Sequence, residues 1–321
     1  MKKVLIGVPN WSNLIKTDAQ KLLQENGFEI IANESGGISE HSFMEQNISD
    51  ADAIIAGGLK IDADLLRKAA KLKVITRYGV GIDNIDVRQA TAQGIYISTT
   101  SGANANSVAE HAVALILAVQ RRIVYCHNAV RVASWEAREF PELSGKKVGL
   151  IGFGRIARLV AKLLSGFDVC LSAYDKIWDE EAAAAAGVRY AEKDAILRQS
   201  DIVSLHIPST PQTRHFIGMH ELTIMKPGAY LVNTARGTLI DEIALYTALK
   251  EGGLAGAALD VTESEPCSPQ NPLLDLPNVI ITPHIAGGSF ENHLAAGMIC
   301  ARAIVDTFAG KTPENSINIM S

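Results

Sequence analysis

Arg236, Glu265 and His284 are the residues in this chain best suited to proton chemistry beside a bound acid. Each lies just beyond an apolar run of the kind that forms a buried strand. A guanidinium grips a carboxylate through two parallel hydrogen bonds. An imidazole gives or takes a proton near neutral pH. A carboxylate behind the imidazole fixes its tautomer and favours imidazolium. Asp260 and His206 stand at strand ends of the same kind. Each residue also has a plain structural reading: Arg236 on the surface, Asp260 capping a turn, Glu265 solvated, His284 hydrogen-bonded in a loop. Their shared placement argues against all four of those readings at once. For His206 a structural role beside a ligand stands level with a catalytic one. His111, inside an apolar helix, reads as a satisfied structural histidine. His41, His127, His215, His220 and His293 have no supporting pattern.

A second feature names the partner of this chemistry. Residues 148–153 read as an apolar strand, and Gly152-Phe153-Gly154-Arg155-Ile156-Ala157 follows the G-x-G-x-x-G/A pattern at the start of an amphipathic helix. Gly152 permits a sharp turn, and Gly154 lets the backbone approach a pyrophosphate seated on the helix N-terminus. A strand at 169–174 ends at Asp175, 21 residues beyond Gly154, where a carboxylate holds ribose hydroxyls. Such turns occur without ligands, but strand, glycines and acid in register favour a dinucleotide. A carboxylate at Asp175 repels a 2′-phosphate, so NAD(H) is expected over NADP(H), with Lys176 softening the repulsion. With a nicotinamide present, the arginine, carboxylate and histidine suit hydride transfer on a 2-hydroxy or 2-oxo acid.

These groups must be held by sheets. Strands are expected at 4–8, 28–32, 53–56, 74–78 and 95–98, with helices at 16–26 and 64–70 between them. The first strand is expected to break at Pro9-Asn10. From Lys146 the alternation resumes, with strands at 148–153, 169–174, 188–190, 202–207, 229–233, 256–261 and 279–282 and helices at 179–186, 193–199 and 241–251. Alternation of this kind means α/β structure with two doubly wound, mainly parallel sheets. Ligands bind beyond the carboxyl ends of such strands. Four of those ends carry His206, Arg236, Asp260 to Glu265, and His284, which are expected to converge on one cleft. A helix at 104–121 is apolar on nearly every face, which predicts burial at a domain junction or subunit interface. The last helix, 290–308, has no strand after it and is expected to return to the first domain.

Bulk properties bound the answer. A chain of 321 residues suggests two domains. A net charge of −5 without blocks of like charge gives no sign of a nucleic-acid or membrane partner. No apolar stretch approaches the roughly 20 residues of a membrane span. Cys126, Cys170, Cys267 and Cys300 are scattered, without a C-x-x-C, so no metal is expected and a reduced, cytoplasmic setting is.

From about Ala53 to Gly288 the chain resembles the D-2-hydroxyacid dehydrogenase family, in particular its phosphoglycerate dehydrogenase-like branch. The resemblance rests on Arg77-Tyr78-Gly79-Val80-Gly81-Ile82-Asp83-Asn84-Ile85-Asp86, Asn104-Ala105-Asn106-Ser107-Val108-Ala109-Glu110-His111, the glycine turn, His206-Ile207-Pro208-Ser209-Thr210, Asn233-Thr234-Ala235-Arg236-Gly237, Asp260-Val261 through Glu265-Pro266, and Pro283-His284-Ile285-Ala286-Gly287. It implies Arg236, Glu265 and His284 as catalytic; Glu265 matches because it precedes the proline, whereas Glu263 does not. It implies Asp260 beside the nicotinamide carboxamide, and substrate contacts at Tyr78, Gly79, Val80, Asn104 and Arg236. The expected cofactor contacts are Gly152, Gly154, Arg155, Ile156, Asp175, His206, Pro208, Thr213, Thr234, Ala235, Asp260, His284 and Gly287. It further implies a Rossmann-type cofactor domain, residues 101–288, inserted into a flavodoxin-like substrate domain, residues 1–100 and 289–321. A homodimer through the cofactor domain is implied as well, with the connector around Trp135 able to reach a neighbouring site.

The expected activity is NAD-dependent oxidoreduction of a D-2-hydroxy acid and its 2-oxo acid, with 3-phosphoglycerate one open substrate. Phosphoglycerate-specific relatives carry an arginine and a serine after the third strand; here Ala56-Gly57-Gly58-Leu59-Lys60 offers only Lys60. The sequence ends at Ser321, so serine feedback through a C-terminal regulatory domain is not expected. A dinucleotide-sensing binding protein similar to the family's corepressors is the alternative. Formate dehydrogenases of the superfamily rank lower, because they carry glutamine where Glu265 stands. A methyltransferase would not need the three later residues.

Overall fold

A computed structural model describes residues 1–8, 18–33, 40–135 and 138–318. The expected strand break at Pro9-Asn10 and the expected helix start at Lys16 lie outside the described residues. The chain divides into two compact units, Met1–Asn104 with Gly288–Ser321, and Ala105–Gly287.

Short apolar runs build the sheet of the first unit: β1 (Lys2–Gly7), β2 (Phe28–Ala32), β3 (Ala53–Ala56), β4 (Val74–Arg77) and β5 (Tyr96–Thr99). All pairings are parallel, in the order β2-β1-β3-β4-β5. That is the flavodoxin-like winding. A parallel sheet must be covered on both faces, so successive residues of β1 alternate between two apolar layers. Val4 and Ile6 face one layer and Leu5 the other. The helices are α1 (Asp18–Glu25), α2 (Glu40–Asn47), α3 (Ala63–Lys68) and α4 (Val87–Ala92). Asp62 and Asp86 start the last two by accepting from Leu65 N and Gln89 N.

The second unit opens with α5 (Ala105–Gln120) and α6 (Ile123–Arg131). Its remaining elements are β6 (Lys147–Ile151), α7 (Arg155–Leu164), β7 (Cys170–Tyr174), α8 (Glu180–Ala186), β8 (Arg189–Tyr190), α9 (Lys193–Gln199), β9 (Ile202–Leu205), α10 (Met219–Ile224), β10 (Ala229–Asn233), α11 (Glu242–Lys250), β11 (Leu254–Leu259) and β12 (Val279–Ile281). Its sheet is parallel throughout, in the order β12-β11-β10-β9-β6-β7-β8. The winding reverses between β6 and β9, and the crevice at such a switch point is where this architecture takes ligands.

Two expectations change here. Helix α5 is not apolar all round: Asn106, Glu110 and Ala114, four residues apart, form an exposed stripe. The rest packs within its own unit, on α7, β10 and β11. Strands β9 and β11 end two residues earlier than their periodicity suggests. His206-Ile207 and Asp260-Val261 leave the sheet to enter loop networks described below.

The final helix, α12 (Phe290–Phe308), belongs to the first unit. Ser289 caps it through Asn292 N, and Ala296, Gly297, Cys300, Ala301 and Ile304 are buried toward α1, β4 and β5. Among the described residues no helix is long and apolar enough to cross a membrane.

Candidate active site

The glycine turn is tight. Gly152 adopts φ +97°, and a Cβ there would come within 2.6 Å of the His206 carbonyl oxygen. Gly154 differs: its φ is −76°, open to any residue, and a Cβ would meet nothing within 4 Å. The fold itself therefore does not require glycine at 154. Helix α7 begins there without a side-chain cap. Arg155 is exposed at the helix start, and Ile156 is half-buried. Asp175, at the end of β7, accepts from Phe153 N at 2.7 Å and from Ile177 N at 3.1 Å. It thus braces the turn as well as presenting charge.

Beside the turn, His206 N donates to Ile151 O, and the His206 Nε2 pairs with Ser204 Oγ at 2.9 Å. The residue keeps some surface, but its ring is enclosed, and burial pushes the imidazole down to about 4. A ring neutral at pH 7 fits the structural reading. Thr213 is buried and its hydroxyl is committed to its own loop, accepting from Thr210 N and donating to Pro208 O at 2.8 Å. It shapes the Pro208 segment rather than presenting its oxygen. Thr234, by contrast, is buried with an Oγ1 that has no partner among the described residues.

Burial of His206 makes stability depend on acid. Its folded value lies below the unfolded one, so the unfolded chain binds more protons between the two. Stability falls as pH drops from about 6.5 toward 4, by up to about 3 kcal/mol. Urea midpoints measured from pH 7 to pH 5 should decline, and His206→Asn should flatten that decline.

Arg236 is presented by Asn233, a fully buried residue whose chemistry the sequence did not single out. The Asn233 Oδ1 accepts from Ala235 N at 2.9 Å, and its Nδ2 donates to Arg236 O at 2.9 Å. The Arg236 Nη1 donates to Ala235 O at 2.7 Å. The amide ladder of Asn233 closes the loop on itself and fixes where the guanidinium starts.

Asp260 has a larger structural role than a cofactor contact alone. Its buried carboxylate accepts from Thr282 Oγ1 at 2.6 Å, Ile285 N at 2.9 Å and Ala286 N at 2.8 Å. His111 Nε2 lies 3.1 Å from Thr282 Oγ1 and 3.4 Å from Asp260 Oδ1, so it is the satisfied histidine expected. His284 N donates to Asp260 O at 2.8 Å, and His284 sits at φ +52°. A non-glycine residue there is strained and must be held. Asp260 gathers the loop that holds it, and Gly287, farther along the same segment, is half-buried.

The same loop delivers His284 Nδ1 to Glu265 Oε2 at 2.6 Å. Burial works to raise the Glu265 carboxyl, but the His284 hydrogen bond and charge outweigh it, aided by Thr262 N and Arg236, and hold it below the ordinary range. Glu265 is therefore an acceptor, and His284 carries its proton on Nδ1. Nε2 is bonded to none of the described residues. The side chains are 49% and 39% exposed, too open to add much stability. The pairing orients a ring.

The first unit carries the residues expected to meet substrate. Gly79, at φ +146°, donates its amide to Arg77 O at 2.9 Å. Arg77 wraps the loop, donating to Ala56 O, Tyr78 O and Gly81 O. The Gly79 amide is thus already used, while Val80 is exposed. The Tyr78 hydroxyl is committed to His293, donating to its carbonyl at 2.9 Å with Nδ1 at 3.0 Å. Asn104 is half-buried at the end of the unit. Among the described residues no group of three His, Cys, Asp or Glu side chains could hold a metal.

Comparison with known proteins gives the family. Residues 113–286 match the model of the D-isomer specific 2-hydroxyacid dehydrogenase NAD binding domain. D-3-phosphoglycerate dehydrogenase from Archaeoglobus fulgidus is 40% identical over 321 residues, which cover 99% of this chain and 60% of that protein. The chain thus spans about three fifths of that relative's length. Glyoxylate reductase from Thermofilum pendens is 43% identical over 282 residues, 85% of this chain and 83% of that one. D-lactate dehydrogenase from Aquifex aeolicus, solved with NAD and lactic acid, superposes with a TM-score of 0.85 at 28% identity, covering all of both chains. With the glycine turn, the Arg236 loop and the Glu265–His284 pair in one parallel-sheet unit, the chain belongs to the D-isomer specific 2-hydroxyacid dehydrogenase family.

Proposed function

We propose that this protein is an NAD-dependent oxidoreductase interconverting a D-2-hydroxy acid and its 2-oxo acid. The observation that carries the reading is the Glu265–His284 pair, which leaves one imidazole nitrogen without a partner among the described residues. The dinucleotide would be held by the Gly152–Ile156 turn, Asp175, the His206–Pro208 segment, Thr234, Ala235, Asp260 and Gly287. The open space at Gly154 and the unpartnered Thr234 hydroxyl fit such a group. When bound, NAD supplies or accepts the hydride at C2 of the substrate. Arg236 takes the substrate carboxylate. During reduction His284, as imidazolium, gives the Nε2 proton to the forming alkoxide. During oxidation the neutral ring accepts the hydroxyl proton at the same atom. Glu265 keeps the ring oriented and stabilises its charged form in both directions.

Lys60, the one cation of the 56–60 stretch, is exposed and lies 3.7 Å from Asp62; phosphorylated and unphosphorylated acids, 3-phosphoglycerate among them, are both open as substrates. The deciding assay follows NADH absorbance with a panel of 2-oxo acids, phosphorylated and not. Absence of turnover combined with tight NADH binding would replace this reading with that of a dinucleotide sensor.

For the cofactor, NADH should exceed NADPH in kcat/KM. Asp175→Ala should narrow that ratio by about 10–100-fold, the worth of a charge-assisted hydrogen bond. It should also raise KM for NADH, since Phe153 N loses its acceptor. Equal efficiency with NADPH in the wild type would overturn the assignment.

A cytoplasmic homodimer completes the proposal. The dimer is supported by the apolar surface of α6 and the segment after it, where Ile123, Val124, Val130 and Val132 are exposed and Trp135 is 88% exposed. Light scattering should report twice the 34.4 kDa chain mass; a monomer at micromolar concentration would exclude the dimer.

A further inference from the structure

A second histidine–carboxylate pair lies in the same unit as the first. His215 Nε2 is 2.5 Å from Glu263 Oε1, and Arg214 Nη2 approaches the same oxygen at 3.6 Å. Asp241 Oδ2 stands 4.0 Å from His215 Nδ1. The sequence offered nothing for either residue: His215 had no pattern, and Glu263 does not precede the proline. Their neighbours along the chain give them meaning. His215 N donates to Thr238 O at 2.8 Å, two residues after Arg236. Thr238 Oγ1 meets Ser209 Oγ at 2.8 Å. Glu263 lies two residues before Glu265, and its amide donates to Glu242 Oε1 at 2.6 Å. Glu242 Oε2 in turn accepts from Asn271 Nδ2 at 2.8 Å. Glu263 is therefore tied at both ends, by Glu242 through its backbone and by His215 through its carboxylate.

The two loops also touch directly. A Cβ on Gly237 would lie 2.0 Å from the Thr262 carbonyl and 2.5 Å from Glu263 N. With no room between them, displacement of one loop displaces the other. We propose that His215 and Glu263 are positioning residues that clamp the Arg236 loop to the Glu265 loop and so set the Glu265–His284 hydrogen bond. The inference rests on the proposed roles of Arg236, Glu265 and His284. Partly exposed ion pairs contribute little to stability, whereas a displacement of about 1 Å at a reacting group costs on the order of a hundredfold in rate. The clamp is thus expected to show in catalysis more than in melting.

The test is a double-mutant cycle on the full chain with His215→Ala and Glu263→Ala, together with Glu263→Gln, which keeps an acceptor for His215. Each alanine variant should lower kcat about tenfold with NADH affinity unchanged, and the double variant should fall no further than the worse single one. Glu263→Gln should recover most of the rate. A second readout needs no turnover: by carbon-13 NMR, the Glu265 carboxyl should titrate higher in Glu263→Ala, as its bond to His284 loosens, and stay near the wild-type value in Glu263→Gln. Unchanged kcat and unchanged Glu265 titration in both alanine variants would overturn the clamp, as would additive losses in the double variant. If the wild type turns over no 2-oxo acid, the enzymatic reading fails, while the Glu265 titration still decides the clamp. If His215→Ala does not fold, the two Glu263 variants decide it alone.

Discussion

Replacing His284 with alanine is expected to lower kcat by about 10²–10⁴-fold, the usual worth of a positioned general acid–base, while NADH still binds. Glu265 is held as a carboxylate, so it accepts from His284 Nδ1 and leaves Nε2 for the proposed proton exchange with substrate. Alanine removes that atom and nothing on which the glycine turn depends. The His284 amide can still donate to Asp260 O, although alanine at φ +52° is strained. His284→Asn, which tolerates that backbone better, separates strain from chemistry: it should be as inactive as alanine and melt closer to wild type. Stopped-flow NADH oxidation with fluorescence titration of NADH checks both parts. Near-wild-type turnover in His284→Ala would remove His284 from the mechanism.

The second large effect divides two glycines that look equivalent in the motif. Gly152→Ala should destabilise the cofactor-binding unit by about 2–6 kcal/mol, from a positive φ together with a clash against backbone. The His206 carbonyl it would strike cannot rotate away as a side chain could. Gly154→Ala should fold, with a Tm change of no more than about 2–4 °C, the loss of a glycine N-cap. Its NADH affinity should nevertheless fall about 10–100-fold, because the methyl occupies the space a pyrophosphate needs. Thermal melts paired with NADH titrations distinguish the two. If Gly154→Ala binds NADH normally, the pyrophosphate does not sit against that turn.

Periodicity alone made the alternation of strands and helices legible, because parallel strands buried on both faces read as short continuous apolar runs. The glycine spacing and Asp175 were legible for the same local reason: a strand, a turn and a helix start occupy consecutive residues. Arg236, Glu265 and His284 could be nominated as residues at strand ends, where this architecture collects its chemistry.

Partnership was not legible in the sequence. Asp260 reads in the sequence as a ligand contact; only the structure adds that it gathers Thr282, Ile285 and Ala286 and so holds His284 in a strained backbone. Thr213 looked like a cofactor contact, yet its hydroxyl is spent within its own loop. Asn233 was invisible as a support, because a buried amide reads like any other polar residue until its two acceptor–donor bonds are seen. Helix α5 looked uniformly buried, because alanine carries no mark of which side faces water. His215 and Glu263 lie 48 residues apart and meet only because β9 and β11 flank β10 in the parallel sheet, which brings the loops after them together. A sequence records which side chains are able to act. Hydrogen bonds between loops far apart in the chain decide which of them act together, and those depend on strand order and register that only the folded sheet sets.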